Sequence, residues 1–383
     1  GTYNYSTCGA KGSGNGLEKD GLVGDALGFW ISQMPMTNLE AYARNYQGGE
    51  FTKININGRE AYQLHFGTTP DGVNHVYMQN SGLGNAINPL ISLADQEVYS
   101  VPLLLLIGWR GEPGKKDEPQ HIKQGKITLN LLDTLGIPYE ILSDSDEEAE
   151  KSIAKAFASM KERSAPFALV ARHGIFEPYA LKHDSQSNFE LLREDAIKLI
   201  VKQLDENDII ISTTGMASRE LFEYRDELKQ SHEKDFLTVG SMGHSSQIAL
   251  GIALSKTKRN VYCLDGDGAV IMHMGALAII GELAPKNFKH IIINNGAHDS
   301  VGGQPTAGFQ IDIASIAKAC GYELALNAKT KQEVINSLSK LTSSKGLSLL
   351  EIKVRKGHRK DLGRPTKGPK ENKKAFMHFL QKD

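Results

Sequence analysis

The chain is predicted to be an α/β protein built on two doubly wound parallel sheets, preceded by an atypical, Gly-rich segment with the signature of a β-hairpin. Three observations carry this. From about residue 74 onward, short apolar runs alternate with stretches of helical period, which is how successive strand–helix–strand units read. The run at 101–108 is apolar almost without interruption, as a strand covered on both faces must be. A polar stretch at 177–187 divides the alternation in two, giving expected domains at 74–180 and 188–383 after an N-terminal segment, 1–73.

The hairpin expectation rests on Asn57-Gly58, a dipeptide suited to two-residue turns, between strand-like segments at 51–57 and 61–66. Beyond it, 73–78 reads as a strand and 84–94 as a helix entered through a glycine turn. Strands at 101–108, 139–142 and 167–171 alternate with helices at 120–135 and 147–161. After the polar stretch come helices at 189–204, 218–229 and 245–254, with a strand at 209–212. A strand at 261–264, one apolar helix at 269–284 stopped by Pro285, and a strand at 290–293 follow. Helices at 311–319 and 331–340 and a strand at 348–354 complete the reading.

Bulk properties exclude more than they assign. The 383 residues carry 44 basic and 45 acidic side chains, a formal net charge of -1, so neither nucleic acid nor a membrane surface is indicated as partner. No apolar run is long enough to span a bilayer. The chain starts polar and Gly-rich, unlike a signal peptide. Cys8, Cys263 and Cys320 lack metal-like spacing and suit a reduced, cytoplasmic setting.

Chemistry concentrates in the second block. The segments 261–264, 269–284 and 290–293 form a strand–helix–strand unit, whose crossover makes its strands parallel and close. Asp267 of Gly266-Asp267-Gly268 and the pair Asn294-Asn295 then both lie at C-terminal strand ends, where open α/β sheets bind ligands. A carboxylate and an amide oxygen converging there suit Mg²⁺, a hard cation. The plainer alternative is two unrelated turns. Thr213-Thr214-Gly215-Met216, between a strand and a helix, reads either as an ordinary helix cap or as a seat for an anion.

Gly-Asp-Gly followed by Asn-Asn at this distance resembles the motif of the thiamine diphosphate-dependent 2-keto acid decarboxylases. Further strings resemble the phosphonopyruvate decarboxylases in particular: 77–85, Gly108-Trp109-Arg110-Gly111-Glu112-Pro113, 117–121, 294–298, 301–306 and 361–365. Sulfopyruvate decarboxylases are the near relatives with another substrate. The likeness covers about 75–383 and implies two sheet domains of the thiamine diphosphate-binding type. It implies Asp267, Asn295 and the Ala297 carbonyl as ligands of Mg²⁺. Around the cofactor it implies Thr214, Gly215, Gly240, Met242, Gly266, Gly268 and Ala269, with Met242 as the wedge that bends it and Gly240 offering a carbonyl. It implies decarboxylation of 3-phosphonopyruvate to phosphonoacetaldehyde and CO₂, in a homo-oligomer whose active site lies at a subunit interface, with the 80–85 loop across from the metal.

A phosphonate and a carboxylate on one small substrate call for cations and hydrogen-bond donors. Arg110, His121, Gln124, His298, Gln304, Arg359 and Arg364 are the candidates, His121 and His298 foremost. Asp265 either tunes the metal or holds a loop. The activating Glu of such enzymes has no counterpart at 53–58; Glu60 is the nearest substitute and Glu50 the next. Two alternatives therefore stand beside the decarboxylase: a chain that binds cofactor but is catalytically impaired, and a structural module with a chance motif.

Overall fold

The computed structural model describes residues 49–56, 59–66, 74–176 and 187–382, the first two stretches by their backbone alone. The Asn57-Gly58 turn and all but the last residue of the polar stretch 177–187 lie outside the described residues. The chain divides into two compact units, Gly1–Asp184 and Ser185–Asp383.

In the first unit, β1 (Gly49–Ile56) and β2 (Arg59–Phe66) pair antiparallel with Ile56 opposite Arg59, the register of a two-residue connection. There follow β3 (Asn74–Gln79), α1 (Asn80–Ser92), β4 (Leu103–Gly108), α2 (Pro119–Thr134), β5 (Tyr139–Ile141), α3 (Asp146–Arg163) and β6 (Phe167–Ala171). The sheet order is β3-β4-β6-β5, parallel throughout. The continuous apolar run of β4 has a simple cause. Leu105 and Ile107 join Met78, Leu83 and Leu132 in one core, while Leu104 and Leu106 join Phe157 and Met160 in another. Alternate side chains of one strand feed two cores, so no polar position remains.

The second unit contains α4 (Arg193–Val201), β7 (Ile209–Ser212), α5 (Met216–Glu227), β8 (Asp235–Leu237), α6 (Ser245–Ser255), β9 (Val261–Gly266), α7 (Asp267–Met272), α8 (Gly275–Leu283) and β10 (Phe288–Asn294). A small antiparallel ribbon, β11 (Ala297–His298) with β12 (Gln304–Pro305), precedes α9 (Ile313–Ala319), β13 (Leu324–Ala328), α10 (Lys331–Ser343), β14 (Ser348–Lys353) and α11 (Pro369–Leu380). The main sheet runs β13-β14-β10-β9-β7-β8, all parallel. Ile293 of β10 lies opposite Gly266 of β9, so the strand ends that carry Asp267 and Asn294-Asn295 are side by side, as the crossover argument requires.

Three expectations need correction. The apolar stretch 269–284 is not one helix: α7 ends at Met272 and α8 starts at Gly275, with His273 at φ −130° and ψ 47° between them. Packing imposes the break. The His273 ring lies 4.4 Å from that of His244, and against Gly243, where a Cβ would come within 2.5 Å of His273 Cδ2. Residues 80–85 are not a loop but the opening turns of α1. Finally, β8, β13, α11 and the β11–β12 ribbon were not anticipated. The three residues of β8 carry almost no pattern. Asp235 there pairs with Arg225 through two bonds of 2.8 and 2.9 Å, and Asn372 of α11 donates to its carbonyl. Among the described residues, no helix is long and apolar enough to cross a membrane.

Candidate active site

Asp267 opens α7 directly after β9 and is 2 % exposed. Its carboxylate accepts from the Thr306 hydroxyl and from backbone amides that include that of Asn295. Burial outweighs these bonds and pushes its carboxyl up to about 6. A buried anion of this kind is matched by a cation, and a metal ion reverses the local preference.

The two asparagines of the neighbouring tip do different work. Asn294 donates to the Gly308 carbonyl and to Glu351, both at 2.7 Å, and its Oδ1 accepts from the Gly296 amide. Asn295 donates to Asp299 at 2.8 Å, and its Oδ1 accepts, among the described residues, from the Ala297 amide at 3.1 Å. An amide oxygen has two lone pairs, so one remains. Gly308 closes the corner: a Cβ there would lie 2.6 Å from Asp267 Oδ2 and 2.7 Å from Asn294 Oδ1. A carboxylate at Asp267, an amide oxygen at Asn295 and the Ala297 carbonyl two residues on would give an all-oxygen donor set of the kind Mg²⁺ takes.

The end of β7 supplies the second part. Gly215 caps α5 at φ +99°, close to Ser300. Thr214 Oγ1 accepts from the Gly240 amide at 3.2 Å and so ties the cap to the next segment. There Gly240, Ser241 and Gly243 have φ of +75°, +44° and +86°. Ser241 in the left-handed region stores strain, as residues near functional sites often do. The segment brings Met242 to Gly268, where an added Cβ would meet Met242 Cε at 3.1 Å and His298 Cε1 at 2.7 Å. Burial lowers the pKa of His298. The carbonyl of Ala269 faces Gly243, and Gly266 is the last residue of β9. Thr214, Gly215, Gly240, Met242, Gly268, Asp267, Asn295 and His298 thus occupy one end of one sheet, linked by these contacts.

Asp265 is buried in β9. Its side chain lies among Cys263 and His290, the three donor atoms within 4.8 Å of one another, and it accepts from the Gly266 amide at 3.0 Å. His290 Nδ1 and the Tyr322 hydroxyl are hydrogen-bonded at 3.1 Å. Burial pushes the Cys263 thiol well up, which disqualifies it as a nucleophile. Arg359 is taken up by Glu194, Glu223 and Asp361 rather than left for an anion.

The first unit has its own polar cluster at strand ends. Asn80 donates to the Arg110 carbonyl at 2.8 Å and to Thr128 at 2.9 Å, so it braces β4 against α2. Asp117 receives Arg110 through two nitrogens and the Gly111 amide at 2.7 Å, and these hold its carboxyl well below the usual range, Arg110 foremost. His121 Nδ1 is 3.1 Å from Asp117; burial lowers its pKa, with Asp117 opposing. Glu60 lies opposite Asn55 in the hairpin, and its side chain is outside the described residues. Gly308, Asp299 and Arg193 lie in no motif read from the sequence, and Thr306 belongs to the 301–306 string but is given no role there; only the folded turn brings them to Asp267 and Asn295.

Comparison with known proteins adds what geometry alone does not. Residues 213–352 match the family "Thiamine pyrophosphate enzyme, C-terminal TPP binding domain". A phosphonopyruvate decarboxylase of Streptomyces viridochromogenes is 33 % identical over 324 residues, 81 % of this chain and 80 % of the relative. The chain belongs to the thiamine diphosphate-dependent decarboxylases of this phosphonopyruvate decarboxylase family. Its members act on 2-keto acids, and the matched region 213–352 contains the contacts of the Asp267 corner except those of Asp299 with Arg193 and Gly357. A sulfopyruvate decarboxylase of Methanosarcina acetivorans is 30 % identical over 79 % of the chain and 81 % of its own length. The sulfopyruvate decarboxylase subunit beta of Methanococcus maripaludis is 34 % identical over half of the chain and all of its own.

Proposed function

We propose that the protein decarboxylates 3-phosphonopyruvate to phosphonoacetaldehyde and CO₂ with thiamine diphosphate and Mg²⁺. The observation that carries this is the meeting of Asp267 and Asn295 at adjacent strand ends, beside the Thr214-Gly215 cap of α5. Among the relatives matched over about four fifths of the chain, the 33 % identity to the phosphonopyruvate decarboxylase against 30 % to the sulfopyruvate decarboxylase supports the phosphonate substrate.

Thiamine diphosphate, when bound, supplies a nucleophilic carbon and an electron sink for loss of CO₂. The chain does the rest. Asp267, Asn295 Oδ1 and the Ala297 carbonyl hold Mg²⁺, and the first turn of α5 offers N–H groups to phosphate. Met242 and the Gly240 carbonyl orient the cofactor, Gly266, Gly268 and Ala269 line it, and Glu60 serves as the activating carboxylate. His298, kept neutral at pH 7 by burial, can give or take a proton beside Gly268. His121, steadied by Asp117, is the second such group, and Asp265 supports the strand tip. Gln304 is 6 % exposed, with an oxygen that has no partner among the described residues, and suits a substrate donor role through its amide nitrogen.

Release of CO₂ from phosphonopyruvate, measured with and without both cofactors and in competition with sulfopyruvate, tests the reading. Faster turnover of sulfopyruvate would overturn the substrate. The lack of a carboxylate at 53–58 favours one second reading, a cofactor binder with little turnover; binding without CO₂ release would select it. We also propose a homo-oligomer whose site draws on two copies. Mixing Asp267→Asn chains with His121→Ala chains then restores part of the activity, and no restoration would refute the shared site.

A further inference from the structure

One charged network touches the proposed metal corner without offering the cation an atom. Asp299 stands four residues after Asn295, at the start of the short 3-10 turn Asp299–Val301. Its side chain is 6 % exposed. A single oxygen, Oδ2, accepts from Asn295 Nδ2 at 2.8 Å, from Arg193 Nη1 at 2.9 Å and from the Gly357 amide at 3.0 Å. Arg193 is itself held from the other side by Glu220, through Nε at 2.8 Å and Nη2 at 2.9 Å, and Glu220 is 1 % exposed. Arg193 comes from α4, Glu220 from α5, and Gly357 from the segment after β14. Side chains on two separate helices thus fix the Asp299 carboxylate, which in turn accepts from the amide nitrogen of Asn295.

The two ends of a carboxamide have nearly the same shape and opposite meaning for a cation. The oxygen binds it; the NH₂ repels it. An ionised carboxylate can only accept, so it takes the nitrogen end and leaves the oxygen end for the other side. We infer that Asp299, fixed by Arg193 and Glu220, is a positioning residue that sets the Asn295 amide with Oδ1 toward the divalent cation. The inference rests on the reading of Asp267, Asn295 and Ala297 as the metal set.

Mn²⁺ binding in the presence of thiamine diphosphate, followed by electron paramagnetic resonance, is the test. Asp299→Asn weakens Mn²⁺ binding about 10- to 100-fold, the range for losing a hydrogen-bond partner behind a metal ligand. In an Asn295→Asp background both ends of the ligand are oxygens, so there is no orientation to set. There, adding Asp299→Asn changes the affinity by no more than about threefold, against the same scale. An equal loss in both backgrounds would reduce Asp299 to a general structural role and overturn the inference, as would full affinity in Asp299→Asn. If Asp299→Asn does not fold, Arg193→Lys replaces it, with a smaller loss that again vanishes in Asn295→Asp. Mn²⁺ binding left unchanged by Asp267→Asn would sink the metal reading itself and the inference with it, a result separable from failure of Asp299 alone.

Discussion

Both units place polar residues at the C-terminal ends of parallel strands, yet they handle charge differently. In the second unit the charges are buried and matched within the protein: Arg193 by Glu220 and Asp299, Arg225 by Asp235 at 1 % exposure on each side. In the first unit the corresponding pair is near water, with the Arg110 side chain 37 % exposed and Asp117 12 %. Dry, rigid dipoles and charges suit a cation and a diphosphate that bind in one way. A partly wet cluster with a histidine suits groups that exchange protons with a changing ligand. On the proposed reading, the second unit would anchor cofactor and cation, and the first would add a wetter histidine cluster to the proton chemistry of His298.

The sharpest way to break that assignment is to neutralise Asp267. Asp267→Asn should weaken Mg²⁺-dependent binding of thiamine diphosphate by roughly a hundredfold or more, on the scale of deleting one preorganised electrostatic contact. It should also raise the stability of the metal-free protein. The folded pKa is raised, so the protonated group supports the fold below the unfolded value of 3.8, and that support is lost as pH rises through about 6. At pH 7.5 the variant should therefore be more stable by on the order of 1–3 kcal/mol, a gap that closes below pH 4. Thermal unfolding of both forms, with and without Mg²⁺, reads both effects. A variant less stable than wild type at pH 7.5 without metal would mean the site does not store this charge.

A packing test comes next in size. Gly125 of α2 lies against Gly111, where a Cβ would come within 1.8 Å of the Gly111 carbonyl oxygen. Gly125→Ala should cost about 3 kcal/mol by forcing α2 away from the Arg110–Asp117 turn. Gly251 in α6 has nothing within 4 Å of its Cβ position. Gly251→Ala should add about 0.5–1 kcal/mol through helix propensity. Equal shifts in urea unfolding would contradict the close approach. A still smaller effect is expected at Asp117. Its carboxyl is depressed, so the stability it gives is present above the unfolded pKa and is lost as pH falls through the folded value. Asp117→Asn should cost about 1–2 kcal/mol at pH 7, limited by the exposure of Arg110, and the cost should shrink in strong acid. A penalty that is the same at pH 7 and pH 2 would rule out ionic support.

The same contrast explains what could be read in advance. Asp267 and Asn294-Asn295 were legible because a crossover fixes where two strand tips fall, whatever surrounds them. Strands such as 167–171 were legible because a strand buried on both faces leaves no polar interruption. The break at His273 was not, since its cause is the contact with His244 and Gly243, far away in sequence. The part played by Asp299 was equally hidden: Arg193 stands 106 residues before it. For α11 the sequence does carry a signal, a proline at the first turn and Phe376, Phe379 and Leu380 on one face.

The finest distinction between the units lies in two serines with positive φ. Ser164 ends α3 at φ +46°, and Ser241 precedes Met242 at φ +44°. Left-handed geometry costs an ordinary residue about 1–2 kcal/mol, a cost glycine avoids. The chain entropy that glycine adds to the unfolded state takes back a part. Ser164→Gly and Ser241→Gly should each therefore raise stability by no more than about 1 kcal/mol, a shift of a few degrees in melting temperature. Their consequences for function should part. Ser164 shapes only a helix end, and its replacement should leave cofactor affinity alone. Ser241 belongs to the segment that sets Met242 against Gly268, so a glycine there should loosen the cofactor's bed and weaken thiamine diphosphate binding severalfold, while the fold itself gains. Equal affinity in the two variants would show that the strain at Ser241 has no part in holding Met242.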